Sequence, residues 1–135
     1  MQREAPSVLF LCVHNAGRSQ MAAGWLRHLG GEGINVYSGG SEPASSVNPV
    51  AVEAMRERGI DISGHSPQPW TDEVLQAVDI IVTMGCGDSC PVYPGKRYVD
   101  WELDDPAGRP LDDVRPIRDE IERRVRALAE ELGVI

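Results

Sequence analysis

The stretch Ser7-Val8-Leu9-Phe10-Leu11-Cys12-Val13-His14-Asn15-Ala16-Gly17-Arg18-Ser19 decides how the rest of the chain is read. Its first half, Ser7 to Cys12, is a continuous apolar run of strand length, the pattern of a parallel strand buried on both faces. Its second half is polar and carries a glycine. From Ser19 onward, Met21, Ala22, Trp25, Leu26 and Leu29 recur at helical spacing until Gly30-Gly31 stops them. Strand, tight polar loop and helix follow one another, with a cysteine at the strand end and an arginine at the helix start.

Working outward, Ile34 to Ser38 reads as a second strand and Asn48-Pro49 as the cap and first turn of a second helix ending at Gly59. A short helix over 72–77 precedes an apolar strand over 79–84, and a weaker strand is expected over 97–101. The last helix carries Val114, Ile117, Ile121, Val125, Leu128 and Leu132 three or four residues apart. Pro116 is expected in its first turn, with Asp112 or Asp113 as its cap. Apolar strands alternating with helices indicate an α/β sandwich around a parallel sheet, in one domain spanning residues 1–135. Right-handed crossovers place every strand-to-helix loop along one sheet edge. Cys12, Gly85-Cys86 and Asp104-Asp105 all follow strands, so they converge there.

Thirteen basic against 21 acidic residues give a formal charge of −8, which argues against nucleic acid or an anionic membrane as the main partner. No apolar run approaches the length of a membrane span, and the N-terminus lacks a signal-peptide core. A cytoplasmic address is the expectation. Three cysteines close no disulfide framework, which points to nucleophilic or redox chemistry.

The loop Val13-His14-Asn15-Ala16-Gly17-Arg18 is an anion trap by construction. Successive N–H groups of a tight loop point inward, and the following helix adds the positive end of its dipole. Arg18 can clamp two oxygens of a tetrahedral oxyanion. A cysteine at the floor of that cradle sits in a field that favours the thiolate, its nucleophilic form. Ser19 is placed to donate a hydrogen bond to that thiolate. The loop is not the nucleotide-binding type, because no Gly-Lys-Ser or Gly-Lys-Thr is present. Read alone, Cys12 is better explained by an inert buried strand end; Arg18, Ser19 and the strand-loop-helix context reverse the balance.

Cys12-Val13-His14-Asn15-Ala16-Gly17-Arg18-Ser19-Gln20-Met21-Ala22, with Trp25 beyond it, resembles the active-site loop of the low-molecular-weight tyrosine phosphatase superfamily, in its arsenate reductase branch. Tyr37-Ser38-Gly39-Gly40, Asn48-Pro49, Val82-Thr83-Met84-Gly85-Cys86, Asp100-Trp101, Asp104-Asp105-Pro106-Ala107-Gly108 and Arg118-Asp119-Glu120-Ile121 are similar to later segments of the same family, in the same order. The resemblance implies a three-layer sandwich with a central four-stranded parallel sheet. It implies that Cys12 attacks arsenate, that Arg18 and the loop Val13 to Gly17 hold the oxyanion, and that Ser19 supports the thiolate. Asn15 would adopt a left-handed conformation. Asp105, directly before Pro106, would be the general acid, in preference to Asp104. Taken alone, the 104–108 segment has the composition of a plain turn.

By the same resemblance Cys86 resolves the intermediate and Cys90 carries the disulfide outward as a Cys86–Cys90 pair. The spacer Gly87-Asp88-Ser89 is shorter than in the best-known thioredoxin-coupled members. His14, Ala16 and Gly17 also differ from the more usual loop residues. Half a zinc site is the competing reading of Cys86 and Cys90, but no second pair accompanies them, and His14, His28 and His65 lack ligand spacing. The implied chemistry needs no bound cofactor. It needs an external thiol reductant, either thioredoxin or a mycothiol system, and it would see phosphate and sulfate as competing oxyanions. Some thioredoxin-coupled relatives bind potassium through a glutamate on the first helix; Ala23 stands at the matching position, which leaves Asn15 and Ser38. Two other functions compete: a phosphotyrosine phosphatase, whose pocket needs aromatic walls where this chain has Ala107-Gly108, and an oxyanion-binding or redox-sensing module without turnover, which has no need of Asp105.

Overall fold

The computed structural model describes residues 5–84 and 97–135. Four parallel strands, β1 (Ser7–Cys12), β2 (Asn35–Gly40), β3 (Ile80–Thr83) and β4 (Arg97–Asp100), form one sheet in the order β2-β1-β3-β4. The helices are α1 (Arg18–Gly30), α2 (Pro49–Arg56), α3 (Asp72–Ala77) and α4 (Leu111–Glu131). This is the expected three-layer α/β sandwich.

Alternation along β1 builds both layers. Val8, Phe10 and Cys12 face the larger core, with residues of α1, α2 and α4, while Leu9 and Leu11 face a smaller cluster containing Leu75, Val78 and Ile81. A strand with both faces covered is apolar throughout, which is why β1 was recognisable. Helix α1 runs beneath the sheet so deeply that Arg18 through Leu26 are all buried. Its polar members at the N-terminal end therefore depend on each other for hydrogen bonds.

Helix α2 ends at Arg56 rather than Gly59, and β2, β3 and β4 have ends one residue inside those expected. Three further boundaries also differ. Strand β2 extends to Gly40, because Gly39 and Gly40 continue the ladder opposite Leu11 and Cys12. Helix α1 begins one residue earlier than Ser19, at Arg18. Helix α4 begins at Leu111, with Pro110 at the cap position, no side-chain cap, and Pro116 inside the helix. Asp112 and Asp113 lie within its first turn, where they complement the helix dipole and cap nothing. A proline at Pro116 removes one backbone donor, and that loss falls on the carbonyl of Asp112, an exposed residue that water can satisfy. In α2 the expected cap is present: Asn48 Oδ1 accepts from Val50 N at 2.9 Å and Ala51 N at 3.4 Å, and Pro49 occupies the first turn. Among the described residues, no helix is long and apolar enough to cross a membrane.

Candidate active site

Beyond β1 the chain turns sharply, and the turn is held from outside. Glu42 N donates to Val13 O at 2.8 Å, Ala44 N to His14 O at 2.9 Å and Asn48 N to Ala16 O at 2.8 Å. The loop carbonyls are thus turned away and bonded to the segment before α2. The N–H groups of His14 to Gly17 have no described backbone acceptor and remain available to an anion. Asn15 adopts the expected left-handed conformation, with φ of 49°. It is fully buried.

The buried polar end of α1 forms a chain of hydrogen bonds that ends on the cysteine. Asn15 Nδ2 donates to Ser19 Oγ at 2.7 Å, and Ser19 Oγ lies 2.9 Å from Cys12 Sγ. Because Ser19 accepts from Asn15, its own proton is free to point at the sulfur, the role expected of it. Asn15 is in turn fixed by Gln20, whose Nε2 donates to Asn15 O at 3.0 Å and to Asn15 Oδ1 at 3.2 Å, and by Gln68 N, which donates to Asn15 Oδ1 at 2.9 Å. Gln20 belongs to the segment that carries the family resemblance but was given no role there, and Gln68 was not singled out. A glutamine inside a helix has no pattern that distinguishes a buried bracing role from an exposed one.

At the back of this network His65 Nδ1 lies 3.1 Å from Arg27 Nη1 and 3.3 Å from Gln20 Oε1. Burial, followed by the Arg27 charge, pushes the His65 pKa below its ordinary value. The neutral ring can accept from Arg27. His14, on the cavity side, makes a single contact of 3.0 Å between its Nδ1 and the carbonyl of Glu42. A carbonyl only accepts, so Nδ1 carries the proton there.

A cavity of about 710 Å³ opens over the loop, lined by Cys12, His14, Arg18, Asn48, Asp105 and Pro106 among others. Arg18 is almost buried in its wall, and among the described residues it has one carboxylate nearby, Asp105, with 3.7 Å between Nη2 and Oδ2. That is beyond hydrogen-bonding distance. A nearly buried guanidinium with its donors unspent, next to a buried thiol and a row of free N–H groups, is shaped for an oxyanion.

The segment from Asp104 to Gly108 is seated directly on the cradle through Pro106. A Cβ added to Gly17 would stand 2.6 Å from Pro106 Cγ, so any other residue at that position would push the loop away. Asp105 Oδ1 accepts from Ala107 N at 3.0 Å, which leaves Oδ2 turned toward Arg18. Asp104 instead lines a separate cavity with Glu102, Asp113 and Glu120. Of the two carboxylates, Asp105 is therefore the one that faces the cysteine's cavity. Cys86 and Cys90 lie outside the described residues. Among the described residues, no group of three His, Cys, Asp or Glu side chains is arranged to hold a metal ion.

Residues 7–134 match the family model described as low molecular weight phosphotyrosine protein phosphatase. Arsenate reductase 2 of Staphylococcus epidermidis is 42% identical over 125 residues, which is 90% of this chain and 94% of that protein. The arsenate reductase of Staphylococcus aureus is 43% identical over 119 residues, 85% of this chain and 89% of that protein. Among solved structures, the thioredoxin-dependent arsenate reductase of Corynebacterium glutamicum superposes with a TM-score of 0.86 at 46% identity; the match covers 99% of this chain and 65% of that chain. The low molecular weight protein tyrosine phosphatase of T. tengcongensis superposes with a TM-score of 0.83 at 26% identity, over 94% of this chain and 99% of that one.

Proposed function

This chain belongs to the low molecular weight phosphotyrosine protein phosphatase family, and from that premise we propose that it is an arsenate reductase that uses Cys12 as its nucleophile. The observation that carries the reading is the cradle itself: Cys12 bonded to Ser19, with Arg18 unspent and Asp105 opposite. The similarity to arsenate reductases, at 42% identity over most of the chain, supports arsenate as the substrate. So does the cavity lining, which is Ala107 and Gly108 beside Pro106 and includes no Phe, Tyr or Trp among the described residues. A phosphotyrosine pocket needs aromatic walls to stack on its ring.

In the first step the Cys12 thiolate attacks arsenic. A sulfur–arsenic bond forms, an arsenic–oxygen bond breaks, and Asp105 gives its proton to the departing oxygen, which leaves as water. The loop N–H groups and Arg18 hold the remaining oxygens as charge develops on them. Reduction then requires two electrons. A thiolate from Cys86 attacks the Cys12 sulfur, the sulfur–arsenic bond breaks with its electron pair left on arsenic, and As(V) leaves as As(III) in arsenite. Cys90 attacks Cys86 in turn, freeing Cys12 and leaving a Cys86–Cys90 disulfide for an external reductant. Similarity to the thioredoxin-dependent Corynebacterium glutamicum enzyme favours thioredoxin as that reductant. No bound cofactor enters this scheme.

The test is arsenite formation from arsenate with thioredoxin, compared with a mycothiol system. Cys12→Ser is expected to form no arsenite. Cys86→Ser is expected to stop with arsenic on Cys12, and Cys90→Ser to stop after one turnover with Cys12 and Cys86 joined. Peptide mapping by mass spectrometry reads each species. Full activity of the Cys86→Ser, Cys90→Ser double variant with mycothiol alone would overturn the relay, and substantial activity of Cys12→Ser would overturn the nucleophile.

A further inference from the structure

Arg109 is the cation that the reaction scheme leaves unused. It lines the cavity that holds Cys12, Arg18 and Asp105, and it also lines the neighbouring cavity of about 670 Å³ with Glu102, Asp104, Asp113 and Glu120. Its side chain is exposed between the two. Despite those carboxylates, it pairs with none of them. Every other arginine among the described residues has a carboxylate oxygen within 3.9 Å, except Arg27, which donates to the Val36 carbonyl and contacts His65. Among the described residues, Arg109 is the arginine with neither kind of described partner.

Its backbone, by contrast, is well defined. Arg109 N donates to Pro106 O at 3.1 Å, closing a turn in which Gly108 supplies a φ of 71°. A positive φ at the third position is what such a turn requires. Pro110 then restricts Arg109 to extended conformations. The turn that presents Asp105 to the cysteine therefore also presents Arg109 to the cavity mouth.

Charge explains what an unpaired cation is for at that place. The chain carries −8, so its overall field repels an anionic substrate. Arg18 is faced by the carboxylate of Asp105 at 3.7 Å, which offsets part of its attraction. Arg109, which no described carboxylate pairs, supplies a second positive charge beside the cavity, on a stem long enough to follow an anion into the site.

We propose that Arg109 is a second oxyanion-binding cation, which draws arsenate to the cavity and contacts its outward oxygens while Arg18 and the loop amides hold the inward ones. This rests on the arsenate-reducing reading of the site, but it concerns oxyanion binding, which can be measured without turnover. Inorganic phosphate is the probe, read as the concentration that halves the rate of Cys12 alkylation by iodoacetamide, with the modified peptide identified by mass spectrometry. Arg109→Gln is expected to raise that concentration about tenfold at low salt, the scale of one unit charge acting on a dianion through water at contact range. It is expected to lower kcat/KM for arsenate by about the same factor through KM, with kcat little changed. Arg109→Lys is expected to recover most of both, and added salt to shrink the difference.

If Arg109→Gln is protected at the wild-type phosphate concentration, or if Arg109→Lys behaves like Arg109→Gln, the proposal is overturned. A fall in kcat with unchanged phosphate protection also overturns it, since that marks a displaced acid loop. If the wild type fails to reduce arsenate yet loses phosphate protection on Arg109→Gln, the functional reading falls and the second cation stands.

Discussion

Arg18 and Arg118 are both arginines that the fold buries, and their surroundings are opposite. Arg118, on α4, donates to Ala54 O at 2.9 Å, Glu57 Oε1 at 2.6 Å and Asp119 Oδ1 at 2.8 Å. Glu57 in turn accepts from Arg115, so α2 and α4 are clasped by a closed network. Arg18 has one carboxylate at 3.7 Å and no hydrogen bond at all among the described residues. One guanidinium is spent on holding two helices together. The other is kept unspent, and that is how a binding site differs from a structural ion cluster built of the same groups. An ion pair whose partners are saturated contributes to the fold; one left open waits for a ligand.

The largest expected effect is a crossed pair of outcomes that would break this comparison if it failed. Arg18→Ala is expected to abolish arsenate reduction while leaving the urea midpoint near wild type, because no hydrogen bond among the described residues depends on its donors. Arg118→Ala is expected to cost about 3 kcal/mol of stability, the low end for breaking a buried pair, since Glu57 keeps Arg115. Its folded fraction should retain the wild-type kcat. Equal losses of stability in the two variants would show that Arg18 is structural after all.

Next in size is the contrast between adjacent carboxylates. Asp105→Asn is expected to slow arseno-enzyme formation by about 10²–10⁴, the range for a positioned general acid. Asp104→Asn faces the other cavity and should do far less. Rapid-quench measurement of the first step reads both, and the reverse ranking would move the acid to Asp104.

A smaller effect sharpens the structural side. Hydrogen bonds from Arg115, then from Arg118, hold the Glu57 carboxyl down to about 2 from an ordinary 4.5. A depressed carboxyl contributes stability that is fully present above its unfolded value and is lost as pH falls through the folded one. Stability should therefore fall between about pH 4.5 and 2. Glu57→Gln should flatten that slope in thermal melts and leave arsenate reduction at neutral pH unchanged.

How much of this was legible follows from what each residue does. Strand β1, the helix periodicity of α4 and the Cys12 to Ser19 loop are local patterns, and their chemistry can be read from neighbours in the chain. The left-handed Asn15 was expected from the family resemblance, and asparagine tolerates that conformation better than most residues. The start of α4 was not, since Asp-rich turns signal caps and Pro116 signals a first turn, whereas packing let the helix begin five residues before the proline. The bracing role of Gln20, and Gln68 and Arg109 altogether, were missed for a different reason. Their roles depend on partners brought in from elsewhere, such as the 53 residues separating Gln68 from Asn15, or on the absence of a partner, which no sequence displays.

The smallest expected effect is a null result, and it tests how the cradle is braced from behind. Three oxygens are the natural candidates for a monovalent cation beside this loop: Asn15 Oδ1, the Ser38 carbonyl and a carboxylate on α1. The last is missing, because Ala23 stands there, fully buried. The Ser38 carbonyl accepts from Gln68 Nε2 at 3.0 Å, and Asn15 Oδ1 accepts from Gln68 N and Gln20 Nε2. Amide donors thus occupy the oxygens that a cation would seek, and a cation bound there would have to displace Gln68 without a carboxylate to compensate its charge. Initial rates in sodium and potassium salts at equal ionic strength should coincide. Gln68→Asp removes the amide donor and adds a carboxylate, so that variant is the one in which a potassium preference should emerge. A several-fold preference already present in the wild type would mean that the glutamines yield to the ion, and that the brace is not the fixed one described by these hydrogen bonds.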